Sequence, residues 1–120
     1  MKLLQPQEIE VYYFIPAIRS NLAMEMKKLG KSQKEIADLL QIQESTVSQY
    51  MSEKRGVLEF SKEIIAQIRG SALNIKTRME ALEEIQRILM LLRRNGFLCE
   101  IHKKHSDVPQ DCSMEKVCCK

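Results

Sequence analysis

The sequence has no tryptophan, and aromatic residues make up only 5% of its 120 residues. Glycine and proline are also scarce, with four and three copies. Proteins built from many short strands need turn-forming residues at regular intervals, so this composition favours helices over a sandwich or a barrel. The hydrophobic fraction of 44% and the charged fraction of 29% are those of a chain that folds around a packed core. We therefore expect an all-α protein.

Long apolar runs are absent too. No run approaches the roughly 18 residues that a transmembrane helix needs. The first four residues, MKLL, resemble the start of a signal peptide, but QPQE at 5–8 interrupts them before an apolar region forms. The formal net charge of +3 permits binding to a polyanion without requiring it. The sequence predicts a cytoplasmic protein with no membrane partner, and no small-molecule substrate is evident.

Apolar residues recur at spacings of three and four in five stretches, which predicts five helices. The predicted helices cover residues 8–29, 32–40, 44–52, a stretch that opens at Ser61 and frays near Gly70, and a stretch from residue 74 or 76 to 94. The apolar positions of the first helix include Val11, Tyr12, Ile15, Ile18, Leu22 and Met26. Pro16 lies inside this pattern, so the first helix is either kinked there or begins near Pro16 after a separate turn.

The second and third helices carry the main functional signal. Ser32 is a helix N-cap with Glu35 three residues later, which makes a capping box. Ala37 is small where two helices must cross closely, and Ile42 fills the turn between them. Two short helices joined by the connector 41–43 are typical of a helix-turn-helix, which leaves the outer face of the second helix free to enter a major groove of DNA.

The outer face of residues 44–52 is polar and suited to hydrogen bonding. Ser and Thr can bind base edges or phosphates, and Gln can pair bidentately with adenine. Basic and amide side chains around it are placed to contact phosphates. The predicted DNA-binding residues are Gln33, Lys34, Glu44, Ser45, Thr46, Ser48, Gln49, Lys54 and Arg55. Glu44 is the least favourable of them, because phosphates repel its carboxylate unless it points away or accepts from a cytosine amino group.

Residues 31–56 resemble the helix-turn-helix domains of the lambda repressor and Cro (Xre) class. A group of archaeal regulators, including the domain that precedes the ligand domain of archaeal thiamine regulators, is similar in the segments 13–19, 32–33, 47–50 and 54–56. The resemblance covers roughly residues 5–73. It implies a lambda-repressor-like bundle of about five helices and sequence-specific DNA binding. The chain is far too short to carry the ligand domain, so thiamine sensing is not implied.

The fifth helix has a wide apolar stripe, formed by Ile75, Met79, Leu82, Ile85, Ile88, Leu89 and Leu92. Four of these follow the 3-4-3 spacing of a dimer seam: Leu82, Ile85, Leu89 and Leu92. The stripe packs either on its own domain or on a second copy. We expect a homodimer, because one recognition helix buries too little surface for specificity and two half-sites lie about 34 Å apart. The predicted division is a DNA-binding domain at 1–73, a dimerisation helix at 74–96 and a tail at 97–120.

All four cysteines fall in this tail, at Cys99, Cys112, Cys118 and Cys119. In a reducing cytoplasm such a cluster indicates metal binding or redox chemistry before structural disulfides. The lack of a C-x-x-C pair weakens a zinc-ribbon interpretation, whereas loosely spaced thiolates can hold an iron–sulfur cluster. We expect a cluster of the [4Fe–4S] type. The alternatives are structural zinc, with His102 or His105 as a possible further ligand, thiol–disulfide sensing, and an inert tail.

These features together predict a transcriptional regulator that binds an operator in double-stranded DNA as a dimer. The cluster would control DNA binding, because its loss or oxidation would change the angle between two recognition helices. A second hypothesis is an antitoxin or adaptor that uses the tail to bind a protein partner. An enzyme is not expected, since no cysteine is paired with a convincing base on a rigid scaffold.

Overall fold

A computed structural model describes residues 4–52, 59–97 and 100–101. Within these ranges the regular structure is helical, with no strand, which confirms the all-α class. Helix α1 consists of three consecutive segments, Pro6–Ile9, Glu10–Phe14 and Ile15–Lys28. The other helices are α2 (Gln33–Leu40), α3 (Glu44–Ser52), α4 (Lys62–Asn74) and α5 (Arg78–Arg94).

The middle segment of α1 is a π-helix. The Ile15 amide donates to the Glu10 carbonyl, five residues earlier instead of four. This wider turn lies directly before Pro16, which has no N–H to donate and whose ring would clash with the carbonyl four residues earlier in a regular helix. Helix α1 therefore continues through Pro16 rather than beginning there.

The π-helical segment also changes which residues of α1 face the core. The residues buried as predicted are Ile18, Leu22 and Met26. Towards the N-terminus, the inward face continues to Phe14, four residues before Ile18, and then across the wide turn to Ile9, five residues before Phe14; both are fully buried. Val11 and Tyr12 are 56% and 61% exposed. Their expected inward placement is wrong, because a period of 3.6 residues does not hold across a π-helical turn.

The helix ends follow the local signals in the sequence. The Glu35 amide donates to Ser32 Oγ at 3.1 Å, which confirms the predicted N-cap of α2. The hydroxyls of Ser61 and Thr77 accept the amide three residues ahead in the same way, so they cap α4 and α5. Gly30 follows α1 with a φ of +95°, a left-handed conformation that suits glycine at a helix C-terminus.

Helix α4 does not fray at Gly70 but continues to its end at Asn74. Glycine in a helix costs about 1 kcal/mol relative to alanine, which is less than the burial of the flanking apolar side chains contributes. Ile68 and Ala72, two residues to either side, are at most 1% exposed. At the far end of the chain, Asn95 and Gly96 follow α5, as the stop signal predicted.

One hydrophobic core contains residues from all five helices. Helix α1 lies at its centre and packs against each of the other four helices. The largest fully buried side chains are Phe14, Ile9, Ile18, Leu22, Met26, Ile36, Ile68, Ile75, Ile88 and Leu92. The described part of the predicted dimerisation helix thus shares its core with the described part of residues 1–73, and the domain division stays a prediction.

The predicted dimer seam on α5 is largely used inside the chain. Ile85, Leu89 and Leu92 are at most 8% exposed and belong to the common core. Only Leu82 of that set is exposed, at 53%. The seam is therefore wrong in its composition, because periodicity identified an apolar face without showing that α1, α2 and α4 cover most of it.

An ion pair joins the π-helical segment to the end of α5. Arg93 donates from Nε to Glu10 Oε2 at 2.8 Å and from Nη2 to Glu10 Oε1 at 2.7 Å. Glu10 is only 4% exposed. Two parallel charge-assisted bonds satisfy its carboxylate, which would be costly to bury alone. The pair therefore fixes the start of α1 against the last turn of α5.

We predict that removing Arg93 alone destabilises the fold more than removing both partners. Arg93→Met leaves a buried carboxylate without its partner and should lower the free energy of unfolding by about 2–3 kcal/mol. Adding Glu10→Met should recover part of this loss, since no buried charge remains. Urea unfolding at pH 7 measures both free energies. The control is Arg69→Met, an exposed arginine whose partner Glu25 keeps a second ion pair with Lys28. Strictly additive losses would show that the two side chains are not coupled.

Candidate nucleic-acid interface

Helices α2 and α3 pack against each other and are joined by residues 41–43. The turn begins at Gln41, which has a left-handed φ of 56° and ψ of 47°. The Ile42 amide donates to the Ala37 carbonyl at 3.0 Å and closes the end of α2. A left-handed conformation costs a residue with a side chain about 1–2 kcal/mol. The turn geometry is therefore imposed by the packing of the two helices and is not favoured by Gln41 itself.

Helix α3 has a buried face and an exposed polar face. Val47 is fully buried, and Tyr50 and Met51 are half-buried against the core. The exposed residues of α3 are Glu44, Ser45, Ser48, Gln49 and Ser52. Ser45, Gln49 and Ser52 lie opposite Val47, and Ser48 flanks them, so these four residues form a polar strip that the described chain leaves uncovered. Glu44, in the first turn, is only about 60° from Val47 around the helix.

Seven of the predicted DNA-binding residues lie in the described ranges. The exposed ones are Lys34, Glu44, Ser45, Ser48 and Gln49. The half-buried ones are Gln33 and Thr46. Lys54 and Arg55 lie outside the described residues. The structure thus brings the two helices together with most of these polar side chains on their outer surfaces.

The charges on α2 are mostly paired. Lys31 Nζ lies 3.5 Å from the Glu35 carboxylate. Asp38 forms an ion pair with Arg78 of α5. Lys34 is exposed and has no ion pair with any described residue. Exposed ion pairs contribute only about 0–1 kcal/mol, so Lys31 can exchange its partner for a phosphate, and Lys34 is free to meet one directly.

Arg19 of α1 is a basic residue next to α3 that the motif did not select. Its positive charge acts on the hydroxyl of Tyr50 in α3. Its Nε is buried, and it is the one buried side-chain nitrogen or oxygen within the described ranges that has no hydrogen-bond partner. Leaving such a group unsatisfied costs about 1–3 kcal/mol. The sequence signal was present, because Arg19 is the single charged residue between positions 11 and 24.

Tyr50 makes the stability of the fold depend on pH where α3 packs against α1. Burial raises the pKa of the Tyr50 hydroxyl above its ordinary value of 10.0, and the Arg19 cation partly offsets the increase. A raised pKa in the folded state favours the protonated hydroxyl. The protonated hydroxyl therefore contributes its full stabilising effect below the pKa of the unfolded chain, near 10. This contribution is lost as the pH rises through the pKa of Tyr50 in the folded state.

We predict that Tyr50→Phe reduces the loss of stability above about pH 10. Arg19→Gln should move the Tyr50 ionisation to still higher pH, because the offsetting charge is gone. Phenolate absorbance and urea unfolding at each pH report the two effects. Below about pH 9, where a tyrosine stays protonated, Tyr50→Phe and the natural chain should depend on pH alike. An unchanged phenolate titration in Arg19→Gln would show that Arg19 does not act on Tyr50.

The predicted metal ligands are not part of this interface. Within the described ranges, no three His, Cys, Asp or Glu side chains come together so as to hold a metal ion. The candidate ligands that lie outside the described residues are Cys99, Cys112, Cys118, Cys119, His102 and His105. The iron–sulfur cluster and its zinc alternative therefore stay predictions.

The chain around Cys99 is anchored to the core on both sides. The ring of Phe97 stacks on Phe14 of α1, with centroids 5.5 Å apart, and meets the edge of Phe60 at 6.0 Å. Ile101 is 4% exposed and belongs to the core. The Glu100 amide donates to the Gly96 carbonyl at 3.2 Å. The beginning of the cysteine-containing tail is thus attached to α1.

No protein-family model, curated protein or solved structure matches this chain. The resemblance to the lambda repressor and Cro class accordingly stays a prediction. The described helices include none that combines the length and the apolar content needed to cross a bilayer.

Proposed function

We propose that this protein is a transcriptional regulator that binds double-stranded DNA by placing α3 in the major groove. The observation that carries the proposal is the exposed polar strip of α3 opposite the buried Val47. The major groove is about 12 Å wide and admits one helix. Ser45 and Ser48 can donate to or accept from base edges, and Gln49 can pair with the N6 and N7 atoms of adenine.

The surroundings of the strip suit a phosphate backbone. Lys34 is exposed without an ion pair among the described residues, and Gln33 begins α2 beside it. Arg19 is half-buried and its charge acts on Tyr50 of α3, and a guanidinium binds phosphate oxygens well. Lys54 and Arg55, which follow α3 in the sequence, complete the proposed set of phosphate contacts. These contacts would orient α3 while its strip reads bases.

Gln49→Ala is expected to relax sequence preference. A bidentate glutamine–adenine pair contributes about 1–3 kcal/mol of discrimination, so the preference for the adenine-containing site should fall about 5- to 150-fold. Selection from a random duplex pool, followed by titration of the preferred and substituted duplexes, measures the change. Gln7→Ala, an exposed glutamine near the start of α1, is the matched control. An unaltered base preference in Gln49→Ala would remove this residue from the reading surface.

Lys34→Gln is expected to weaken binding to every duplex to a similar degree. Losing one phosphate contact should reduce the slope of log K against log salt concentration by about 0.9. Lys62→Gln, an exposed lysine at the start of α4, makes the same charge change elsewhere and should leave the slope unaltered. Equal slopes for all three proteins would exclude Lys34 from the contact. If the natural chain shows no salt-dependent affinity for any duplex, the DNA-binding proposal itself is wrong.

We further propose that Cys99, Cys112, Cys118 and Cys119 hold an iron–sulfur cluster that controls DNA binding. Thiolate spacing in the sequence is the basis for the cluster. Support for control comes from the position of Cys99 between Phe97, which packs on α1, and the buried Ile101. A change in the tail at Cys99 would act on helix α1, against which α3 packs.

Anaerobic purification is expected to give a coloured protein with iron and sulfide in equal amounts. Replacing all four cysteines by serine should abolish the visible absorbance and change operator affinity, while far-ultraviolet circular dichroism stays that of a helical protein. The matched control is Ser106→Ala with Ser113→Ala, which changes hydroxyls of the same tail without removing a thiolate. A colourless protein with stoichiometric zinc would replace the cluster by the zinc alternative. If the serine variant binds DNA like the natural chain in reduced and oxidised conditions, the tail does not control binding.

A further inference from the structure

The outer face of α5 carries apolar side chains that no other described residue buries. Met79, Leu82 and Met90 are 62%, 53% and 47% exposed. Gln86 lies between them and is also exposed. Spacings of three, four and four residues place all four on one side of the helix. We call Met79, Leu82, Gln86 and Met90 the α5 strip.

Two opposite charges border the α5 strip on the same flank. Glu83 and Arg94 are exposed, and neither forms an ion pair with a described residue. At 100° per residue they lie about 40° and 60° around the axis from Met79. Eleven residues, about 16 Å of helix, separate them along the axis. The strip therefore has an acidic and a basic residue towards opposite ends of one edge.

We propose that the α5 strip is a homodimer interface on which α5 of a second copy packs antiparallel. A two-fold axis perpendicular to both helices makes the two copies of α5 antiparallel. It also places the flank with Glu83 and Arg94 on the same side of the interface in both copies. Glu83 of each copy then lies towards Arg94 of the other, so the same ion pair forms twice. In this register Met90 of each copy lies near the two-fold axis, and Leu82 lies at the level of Glu83, about 10 Å from the axis. A parallel pairing would bring opposite flanks together and leave both charges unpaired.

This arrangement is compatible with the rest of the fold. The buried face of α5 packs on α1, α2 and α4, so the strip points away from the core. Helix α3 packs on α1 and α2, and its polar strip stays uncovered when α5 pairs with its copy. The benefit to operator binding rests on the proposed function, because two reading helices double the number of base contacts. The dimer itself does not depend on DNA and is tested without it.

Sedimentation velocity over a concentration series of the full chain, with reductant present to prevent disulfide cross-links, tests the interface. The natural chain is expected to dimerise. Glu83→Arg and Arg94→Glu should each weaken dimerisation about tenfold or more, because each places like charges opposite one another. The combined variant Glu83→Arg/Arg94→Glu restores opposite charges and should recover most of the affinity. Glu44→Arg is the matched control and should have no effect, because Glu44 is an exposed glutamate of α3 with no ion pair among the described residues.

A second variant tests the apolar side chains of the α5 strip. Leu82→Glu/Met90→Glu places carboxylates at two exposed positions, so the monomer keeps its core and its helical circular dichroism while the dimer is lost. A natural chain that is monomeric at every concentration overturns the proposal. A dimer that survives Leu82→Glu/Met90→Glu, or single charge reversals that the double reversal fails to rescue, places the interface elsewhere or in another orientation. A dimer that passes these tests but binds no duplex contradicts the proposed function and leaves this inference intact.

Discussion

The burial of α1 is the constraint on which the other helices depend. It packs against all four of them, and its fully buried side chains run from Ile9 to Met26. Short helices such as α2 and α3 are only marginally stable alone, so their orientation comes from packing on a partner. Val47 of α3 is buried in the core built around α1. The direction in which the polar strip of α3 faces is therefore decided by α1.

An ion pair and a ring stack are among the contacts that join α1 to the end of the described chain. Arg93 binds Glu10 inside the π-helical segment, and Phe97 stacks on Phe14 at the end of the same segment. One contact is ionic and the other is aromatic, so different changes in solution conditions affect them. Both bring residues from the end of α5 and just beyond it to a single stretch of α1. A displacement of the tail would reach α3 by way of this helix.

The parts that could be predicted from sequence depend on neighbours in the chain. Ser32, Ser61 and Gly30 act within one helical turn, so capping patterns located the ends of α1, α2 and α4 closely. The exposed side of α3 could be predicted for the same reason, because one buried anchor on a short helix determines the opposite face. The all-α class followed from periodicity over longer windows.

The parts that could not be predicted depend on distant neighbours. Glu10 and Arg93 are 83 residues apart in the sequence, and no local pattern indicates that they meet. The stripe on α5 was recognisable as apolar, but only the packing of α1, α2 and α4 shows that Ile85 and Leu89 are covered while Leu82 is not. For the candidate site, the polar strip was predictable, whereas the position of Arg19 beside Tyr50 of α3 depends on the packing of α1 against α3.

The π-helical segment has a consequence for comparing this chain with others. Its wide turn lets Ile9 and Phe14, five residues apart, occupy core positions that an uninterrupted helix would fill with residues four apart. A relative with a regular first helix would therefore lack one residue between positions 9 and 14. A correct alignment would need a single-residue gap inside a helix, where gaps are normally avoided. Without that gap, every residue before the segment would be aligned with the wrong residue of the relative.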